Sequence, residues 1–489
     1  MATTRERADA YAYDHLRRST SLLRGADEAV LDPRRRLNRA LAGGTALAVL
    51  ILAGFGIVGW LGGGRGPALP TAGAVVVGDD GDSYVVSGGT VHPALNLSSA
   101  LLVGGGELTR VRQATLDQAP RGLPVGIPGA PDALPGAGQL VDRAWTLCVT
   151  PAETGGPPTE TALYVSVPGV APGDGSVGAT VLARTDDDGL WLLTEGRRYA
   201  LTETVRDLLG LQRVRPVPLP REVAETVPEG PEITVPESGG TGRAPDAELP
   251  FAAEVGDLAH TGADGSTPQY YLVRPDGLVS VSPLVHALLG ATATADHELG
   301  GTRAAAARRS EEPAPGDAAW PDALPAAEEP GRDQPVCVST PPGSRPGDAP
   351  WQATVHLPEA MPEPPGLTPV RAATGDRLGL LDAVYLPAGA GAVVLATTSG
   401  GAGGTHTLIT DAGIAYPFAS PEAVQRLRYA PGDAPSMPRA FVDLLPRGPV
   451  LDPEAAAREQ TAPTASEDDA HDDGSGDTEN AEGEEGTTP

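Results

Sequence analysis

Two cysteines are the side chains with the most distinctive chemistry in this 489-residue sequence. Cys148 lies in the run RAWTLCVT and Cys337 in QPVCVST, and both runs are short, apolar and typical of β-strands. They do not form the closely spaced cysteine pair of a zinc motif. The two thiols are therefore either bonded to each other or buried in the reduced state, and the compartment of the chain decides between these alternatives.

Phosphate binding is the second chemistry that the residues could support. A Walker A loop needs a lysine that reaches the β- and γ-phosphates, but every one of the 35 basic residues is an arginine. The segment GDGSVG at residues 173–178 does fit the pattern G-x-G-x-x-G. It is followed by ATVLARTDDDGLWLL, which predicts a strand and a turn instead of a phosphate-binding helix. We interpret this segment as a loop that binds no cofactor.

The remaining candidate ligands and nucleophiles are isolated. Asp186, Asp187 and Asp188 could coordinate a cation, but they lack the spaced ligands of a calcium loop, and a solvated turn is the favoured interpretation. The 8 histidines are scattered, without H-E-x-x-H, and no G-x-S-x-G is present. Residues 96–98, NLS, form a glycosylation sequon that we interpret as the start of a helix. The sequence predicts no enzyme, with no catalytic, cofactor-binding or metal-binding residues.

The composition limits the classes of partner and fold. A formal net charge of -29 argues against nucleic acid, whose phosphates require a basic surface. A chain of 489 residues is too long for one core and predicts several folded units. With 63 glycines, 51 prolines and only 4 phenylalanines, these units should be small and joined by long loops.

One segment predicts a membrane span. Residues 40–61, ALAGGTALAVLILAGFGIVGWL, carry no charge, and a helix of that length extends roughly 33 Å, enough to cross a bilayer. Arginines flank it unequally, four before and one after: Arg34, Arg35, Arg36, Arg39 and Arg65. This asymmetry predicts that residues 1–39 are cytoplasmic and that residues 62–452 lie outside the cell membrane. A cleaved signal peptide is the alternative, but its polar leader and its apolar core would both be too long.

The predicted orientation gives the cysteines a compartment. Thiols outside the membrane are not kept reduced, so Cys148 and Cys337 are predicted to form a disulfide, with free buried thiols as the alternative. Closing a loop of about 190 residues would stabilise the fold by about 5 kcal/mol on the chain-entropy model.

Four stretches share one pattern of apolar run, glycine-containing turn, second apolar run and amphipathic segment. They lie at residues 84–104, 190–210, 270–290 and 406–429. This pattern predicts strand, tight turn, strand and helix four times, and the unequal intervals exclude a solenoid. We expect them to surround a central β-rich domain that holds both cysteines. Residues 292–335 lack the composition for a core and predict a flexible insertion, and residues 453–489 predict a disordered acidic tail.

Several segments together resemble the EccB family of actinobacterial type VII (ESX-type) secretion systems. Before the membrane segment stands DHLRRSTSLLRGADEAVLDPRRRLNRAL, and after it come VHPALNLSSALLV and RGLPVGIPGAPDALP. Trp145 precedes Cys148 by three residues, and LLPRGPVLDPEAA lies near the end. The resemblance rests on the order and spacing of these segments.

The resemblance implies an α+β fold, with a single transmembrane helix followed by an elongated extracytoplasmic region. That region would contain a central domain, four peripheral repeats and a disulfide at the positions of Cys148 and Cys337. It also implies a complex with EccC (the motor ATPase), EccD and EccE, in which the protein forms homo-oligomers. Residues 292–335 and the acidic tail depart from the family pattern and receive no family role.

Three functions are compatible with the sequence. A structural subunit of a type VII secretion channel is favoured by the resemblance. Some relatives are described as ATP hydrolases, so a membrane-anchored ATP hydrolase is the first alternative, although no nucleotide-binding motif supports it. A cell-envelope protein that binds glycans through its repeats is the second alternative.

Overall fold

The computed structural model describes most of the chain in two compact units. These are Met1–Leu69 with Val111–Gln118, and Pro70–Arg110 with Ala119–Pro489. The described residues are 3–24, 33–62, 69, 75–77, 81–105, 108–152, 158–173, 178–240, 242–262, 267–323, 326–340, 353–371, 380–398 and 403–460. The secondary-structure elements below are numbered along the chain.

The first unit contains two helices near the N-terminus. Helix α1 spans Thr4–Arg24 and helix α2 spans Pro33–Gly62. Proline suits the start of α2, because the first backbone N–H groups of a helix have no acceptor within the helix. The predicted span of residues 40–61 lies wholly within α2. Large apolar side chains of this helix are exposed, for example Leu50 at 68% and Phe55 at 75%. A helix that exposes apolar side chains in this way is suited to a lipid environment.

Four sheets of four strands each account for most of the second unit. The first comprises β1 (Val75–Val77), β2 (Ser83–Ser87), β3 (Thr90–Pro93) and β4 (Leu108–Arg110), with helix α3 (Leu97–Gly104). Helix α4 (Gln113–Leu116) follows in the sequence and belongs to the first unit. After β5 (Trp145–Thr150) and β6 (Glu160–Val165) comes the second, with β7 (Val181–Thr185), β8 (Leu190–Thr194), β9 (Arg197–Ala200), α5 (Glu203–Leu208), β10 (Val217–Leu219) and α6 (Arg221–Glu225).

The other two sheets follow the same order of elements. The third comprises β11 (Leu258–Thr261), β12 (Tyr270–Arg274), β13 (Gly277–Val281), α7 (Pro283–Leu289), β14 (Asp296–Leu299) and α8 (Gly301–Ala306). After β15 (Val336–Ser339), β16 (Thr354–His356) and β17 (Ala383–Tyr385) comes the fourth, with β18 (Gly391–Thr397), β19 (Gly404–Thr410), β20 (Ala415–Pro417), α9 (Pro421–Arg426), β21 (Ser436–Pro438) and α10 (Arg439–Asp443). Helix α11 (Pro453–Ala456) and two 3-10 turns, Ala137–Gln139 and Pro431–Asp433, complete the described elements.

All four sheets have the same connectivity. Three consecutive strands pair antiparallel, a helix follows, and the next strand returns parallel to the first strand of its sheet. In the third sheet, for example, Leu258 pairs antiparallel with Leu272 and parallel with Asp296. We call each sheet, together with the helix after its third strand, a module, and number the modules 1 to 4 along the chain.

Local sequence explains the hairpin and the helix in each module. The turn before β3 has positive φ at Gly88 (57°) and Gly89 (79°), a conformation that glycine adopts without steric cost and that matches the twist of a two-residue hairpin. Each module helix begins after a capping residue whose side-chain oxygen accepts a hydrogen bond from a backbone N–H three residues later. The capping residues are Asn96, Thr202, Ser282 and Ser420.

A fifth, central sheet carries both cysteines. Its strand order is β16-β15-β5-β6-β17, and β17 pairs parallel with β6 while the other pairs are antiparallel. Its strands come from residues on both sides of modules 2 and 3 in the sequence. One core joins this sheet to modules 2 and 4. It contains Leu163 and Val338 of the sheet, Leu193 of module 2, Val394 of module 4 and Phe441 of the adjoining helix α10.

The remaining contacts join the modules in pairs. Modules 2 and 3 share a core that includes Leu192, Leu272 and Leu288. Modules 1 and 4 share another that includes Leu102 and Val424. The second unit therefore packs in the order module 3, module 2, central sheet, module 4, module 1, because one core joins the central sheet to modules 2 and 4 and the other two each join a pair of modules.

The structure corrects the prediction that residues 292–335 cannot contribute to a core. Strand β14 and helix α8 lie within it, and Leu299 is 2% exposed in the core of module 3. Trp320 packs into the core shared by modules 2 and 3 and donates from Nε1 to the carbonyl of Glu232, 3.1 Å away. The segment is poor in large apolar residues, but Leu299 and Trp320 pack against apolar residues from other parts of the chain.

The predicted boundary of the acidic tail at residue 453 is also wrong. Ala456 of α11 is fully buried in the core shared by modules 1 and 4. Glu459 bridges to Val125, and Gln460 donates from its backbone N–H to the carbonyl of Pro124 at 2.7 Å. Residues 461–489 lie outside the described residues, and their disorder stays a prediction.

Two truncations test this revised boundary. Ending the chain after Asp452 should lower the free energy of unfolding by about 2 kcal/mol, since it removes buried Ala456 and two hydrogen bonds of Gln460. Ending it after Gln460 retains these contacts and should leave the melting temperature unchanged. Thermal unfolding of the purified proteins checks both expectations, and equal melting temperatures for the two truncations would contradict them.

Candidate functional site

The disulfide lies at the centre of the five-stranded sheet. Cys148 on β5 and Cys337 on β15 are directly opposite in the antiparallel register, with their Cα atoms 4.1 Å apart and their sulfurs bonded. Both residues are fully buried. The bond joins two strands separated by 189 residues in the sequence, so modules 2 and 3 lie inside the covalent loop and modules 1 and 4 outside it.

Two tyrosines lie on the cysteine-bearing face of the central sheet. The rings of Tyr164 and Tyr385 stack with centroids 4.5 Å apart and planes 10° from parallel. The Tyr164 hydroxyl donates to the carbonyl of Pro362 at 2.7 Å, and burial raises the pKa of this phenol well above its usual value. Met361 and Leu367 pack against the same cluster. The two tyrosines and the residues packed against them cover the disulfide and keep reductants away from it.

The aspartates at residues 186–188 occupy the turn between β7 and β8. The Asp187 carboxylate accepts hydrogen bonds from the Thr185 hydroxyl and from the backbone N–H of Gly189. The Thr185 hydrogen bond is the main reason that the pKa of Asp187 lies below its usual value. Asp186 accepts from the backbone N–H of Arg221. The bonds of Asp187 hold the turn together, and the bond of Asp186 joins the turn to the start of α6.

Two other predicted motifs have different outcomes. Residues 174–177 of the glycine-rich segment lie outside the described residues, so its interpretation as a loop stays a prediction. Asn96 of the NLS tripeptide is the cap of α3, as expected, because its side chain accepts from the backbone N–H of Ser99. It is 6% exposed and also donates to the carbonyl of Ile127, so it is not accessible to a glycosylating enzyme.

Sequence reasoning missed one cluster of possible metal ligands in module 3. Side-chain donor atoms of His260, His286 and Asp296 all lie within 4.8 Å of one another. The three residues are 26 and 10 positions apart and match no ligand motif. Burial lowers the pKa of His286 below its usual value, while Asp296 opposes that shift.

Among the described residues, one helix is long and apolar enough to cross a membrane, and its candidate span is Asn38–Ile57 within α2. A candidate span near the N-terminus together with a disulfide-bonded body of small mixed sheets is typical of membrane-anchored proteins with a large folded domain. A family model described as "Type VII secretion system ESX-1, transport TM domain B" matches residues 1–464. The chain belongs to this family, the EccB proteins of type VII secretion.

Curated relatives extend the comparison. The protein named ESX-3 secretion system ATPase EccB3, from Mycolicibacterium smegmatis, is 32% identical over 277 residues, which are 53% of this chain and 52% of the relative. The protein named ESX-1 secretion system ATPase EccB1, from M. smegmatis strain MKD8, is 28% identical over 468 residues, 89% of this chain and 92% of the relative. In the first of these matches the chain spans about half the length of the relative.

Two solved structures are similar over most of this chain. A chain of the intact ESX-5 inner membrane complex has a TM-score of 0.60 and 26% identity, and the match covers 95% of this chain and 97% of that chain. The EccB3 dimer from the ESX-3 core complex has a TM-score of 0.61 and 27% identity, covering 79% of this chain and all of that chain.

The burial of the disulfide predicts its chemical behaviour. The native protein should contain no thiol that reacts with maleimide, and reductant should break the bond only when denaturant exposes the central sheet. Replacing Cys148 and Cys337 together by serine should destabilise the fold by up to about 5 kcal/mol, because the loop of 189 residues is released in the unfolded chain. Mass spectrometry after labelling, with thermal unfolding of the variant, measures both effects, and labelling of the unreduced protein in denaturant would contradict the pairing.

Proposed function

We propose that this protein is a structural, membrane-anchored subunit of a type VII secretion complex and scaffolds the extracytoplasmic side of the channel. The observation that carries the proposal is the match to a chain of an intact ESX-5 inner membrane complex, which covers 95% of this chain. The family match over residues 1–464 supports it independently. The partners are the EccC, EccD and EccE components and further copies of this chain, the last supported by the solved EccB3 dimer.

The orientation is part of the proposal. Helix α2 crosses the cell membrane once, residues 1–39 are cytoplasmic, and the folded domain lies outside. The arginines before the span, RRRLNR, favour this orientation because positive residues are retained on the cytoplasmic side. A buried disulfide in the folded domain also favours an oxidising compartment.

The four modules are repeats of one unit in this proposal. Beyond their shared connectivity, the third strand of each forms a parallel bridge to a residue that follows the fourth strand by nine to eleven positions. These bridges are Val91 to Arg121, Arg198 to Glu229, Leu278 to Arg309, and Ala415 to Arg447. If the four modules were unrelated, it would be difficult to explain why all of them share this connectivity, this capping pattern and this bridge.

In three modules a glycine directly follows the bridged residue and lies against a ring of the third strand, which supports the same relation. An added Cβ at Gly230 would lie 2.5 Å from the ring of Tyr199, and one at Gly448 would lie 2.3 Å from the ring of Tyr416. Gly122 approaches the ring of His92 in the same manner. Module 3 has Ser310 at this position, and the third strand presents Val279 in place of a ring.

A scaffold is also consistent with how the cores are connected. Every module shares a core with a neighbour, so a force on one module is transmitted through packed side chains to the central sheet. The relatives named ATPase raise enzymatic activity as an alternative. We propose that the chain itself is not an enzyme, because the sequence lacks lysine, Asp187 binds its own turn and Asp186 binds the backbone N–H of Arg221.

Glycine substitutions test the repeat relation. Gly230→Ala and Gly448→Ala should each destabilise the fold by about 1–3 kcal/mol, because the buried rings of Tyr199 and Tyr416 cannot move away from the new methyl group. Ser310→Ala is the matched control in module 3, and it should cost less than about 1 kcal/mol because serine already has a Cβ. Denaturant unfolding measures all three, and equal costs at the three positions would contradict the assignment.

Affinity purification from mild detergent tests the function. The full chain should retain an ATPase, a multi-pass membrane protein and a second copy of itself, and mass spectrometry identifies them. A variant without residues 461–489 is the control and should retain the same partners, because the tail is predicted to be disordered. Recovery of the chain alone, with ATP hydrolysis by the pure protein, would favour the enzymatic alternative. Retention on purified cell wall without partners would favour the glycan-binding alternative.

A further inference from the structure

Three side chains from three different elements of module 3 meet at one point. His260 lies on β11, Asp296 on the parallel strand β14, and His286 on the helix α7. The Asp296 carboxylate lies between the histidines, with Oδ1 2.9 Å from Nδ1 of His260 and Oδ2 3.4 Å from Nε2 of His286. The three donors therefore come from elements whose relative positions the fold already fixes.

The sheet register explains the contact between the two strands. Leu258 pairs with Asp296 and His260 pairs with Glu298, so His260 and Asp296 project from the same face two residues apart. Tyr270 on β12 is directly opposite His260, and its ring lies 4.6 Å from the ring of His286 between centroids. These aromatic contacts hold both imidazoles beside the carboxylate.

The cluster is only partly satisfied by its own contacts. Nε2 of His286 is buried and has no hydrogen-bond partner, because its approach to Asp296 does not meet hydrogen-bond geometry. A buried polar nitrogen without a partner costs free energy. The Asp296 side chain remains 40% exposed and that of His260 32%, so an ion from solution can reach the site.

We propose that His260, His286 and Asp296 form a binding site for one divalent transition-metal ion, for which Zn²⁺ is the best match. Two imidazole nitrogens and one carboxylate oxygen are a ligand set that zinc prefers, and a water would complete a tetrahedron. Ligand atoms on a tetrahedral zinc lie about 3.3 Å apart, given bonds of about 2.0–2.1 Å. The contacts of 2.9 Å and 3.4 Å use different oxygens of Asp296, and one donor atom from each residue lies within 4.8 Å of the others. Side-chain movements of up to about 1.5 Å would bring these three atoms to the spacing of a zinc site.

The other modules show that the fold itself does not require these residues. Where module 3 has His260, the register counted from the bridged residue of the third strand gives Val77, Arg184 and Leu395 in the other modules. Where the helix has His286, four residues after its cap, they have Ala100, Arg206 and Val424. The donor set is therefore particular to module 3. Bound metal would join α7 to two strands and stabilise this module, because an ion that binds only the folded state raises its stability.

Zinc binding to the full-length protein tests the proposal. The protein is purified in detergent, freed of any histidine tag and treated with a chelator, and Zn²⁺ is then titrated by calorimetry. About one ion should bind per chain, with an increase in melting temperature. His286→Ala and Asp296→Asn should each weaken binding by at least about tenfold, because each removes one of three ligands. Co²⁺ in place of Zn²⁺ should give the visible absorption of a four-coordinate site, and His286→Ala should abolish it.

Matched controls separate this site from other histidines. His297 is adjacent to Asp296 in sequence but contacts Asp257 at 3.1 Å, and His297→Gln should bind Zn²⁺ like the unmodified protein. Melting curves in chelator establish that every variant is folded. Equal zinc affinity in His286→Ala and the unmodified protein would overturn the proposal. Absence of binding at millimolar Zn²⁺ would also overturn it and leave the cluster as a histidine–aspartate ion pair.

Discussion

The pairing of β5 with β15 is the contact on which the folded domain depends. These strands come from residues 145–150 and 336–339, and Cys148 and Cys337 lie opposite each other at their centre. Hydrogen bonds, full burial and a covalent bond act at the same place. Closing so long a loop is entropically costly during folding. The disulfide keeps the loop closed in the unfolded chain, so that refolding does not bear this cost again on the chain-entropy model. Modules 2 and 3 therefore lie in one covalent loop that begins and ends in the central sheet.

A scarcity of large apolar side chains explains why the modules share their cores. The chain has only 4 phenylalanines and 5 tryptophans, and a four-stranded sheet with one short helix buries little surface alone. Each module therefore contributes one face to a core that it shares with a neighbour. Helices α3 and α9 meet between modules 1 and 4, and α5 and α7 meet between modules 2 and 3. The helix that follows the hairpin thus provides the contact between modules.

The shared cores also account for segments without an obvious place in the sequence. Trp320 and Ala456 each come from a stretch rich in polar and acidic residues, yet both are buried where two modules meet. Tyr199 of module 2 donates from its hydroxyl to the carbonyl of Ala319, 3.0 Å away. Such segments close the edges of shared cores, and a small number of well-placed apolar side chains is enough for that role. Membership of the EccB family gives these connected cores a context, because a scaffold must hold its surfaces in fixed relative positions.

The sequence by itself determined the features that depend on neighbouring residues. An uncharged run bounded by arginines specifies the membrane helix, and glycines with positive φ, such as Gly89 and Gly196, specify hairpin turns whatever the surroundings. Two cysteines allowed only one intramolecular disulfide. Tertiary structure decided what depends on residues far apart in the chain. The burial of Trp320, the packing of α11 and the meeting of His260, His286 and Asp296 follow from strand register and from partners supplied by other modules. The composition of a segment does not show which partners it will meet. The same polar segment forms a loop where it faces water and part of a core where it packs against an apolar face.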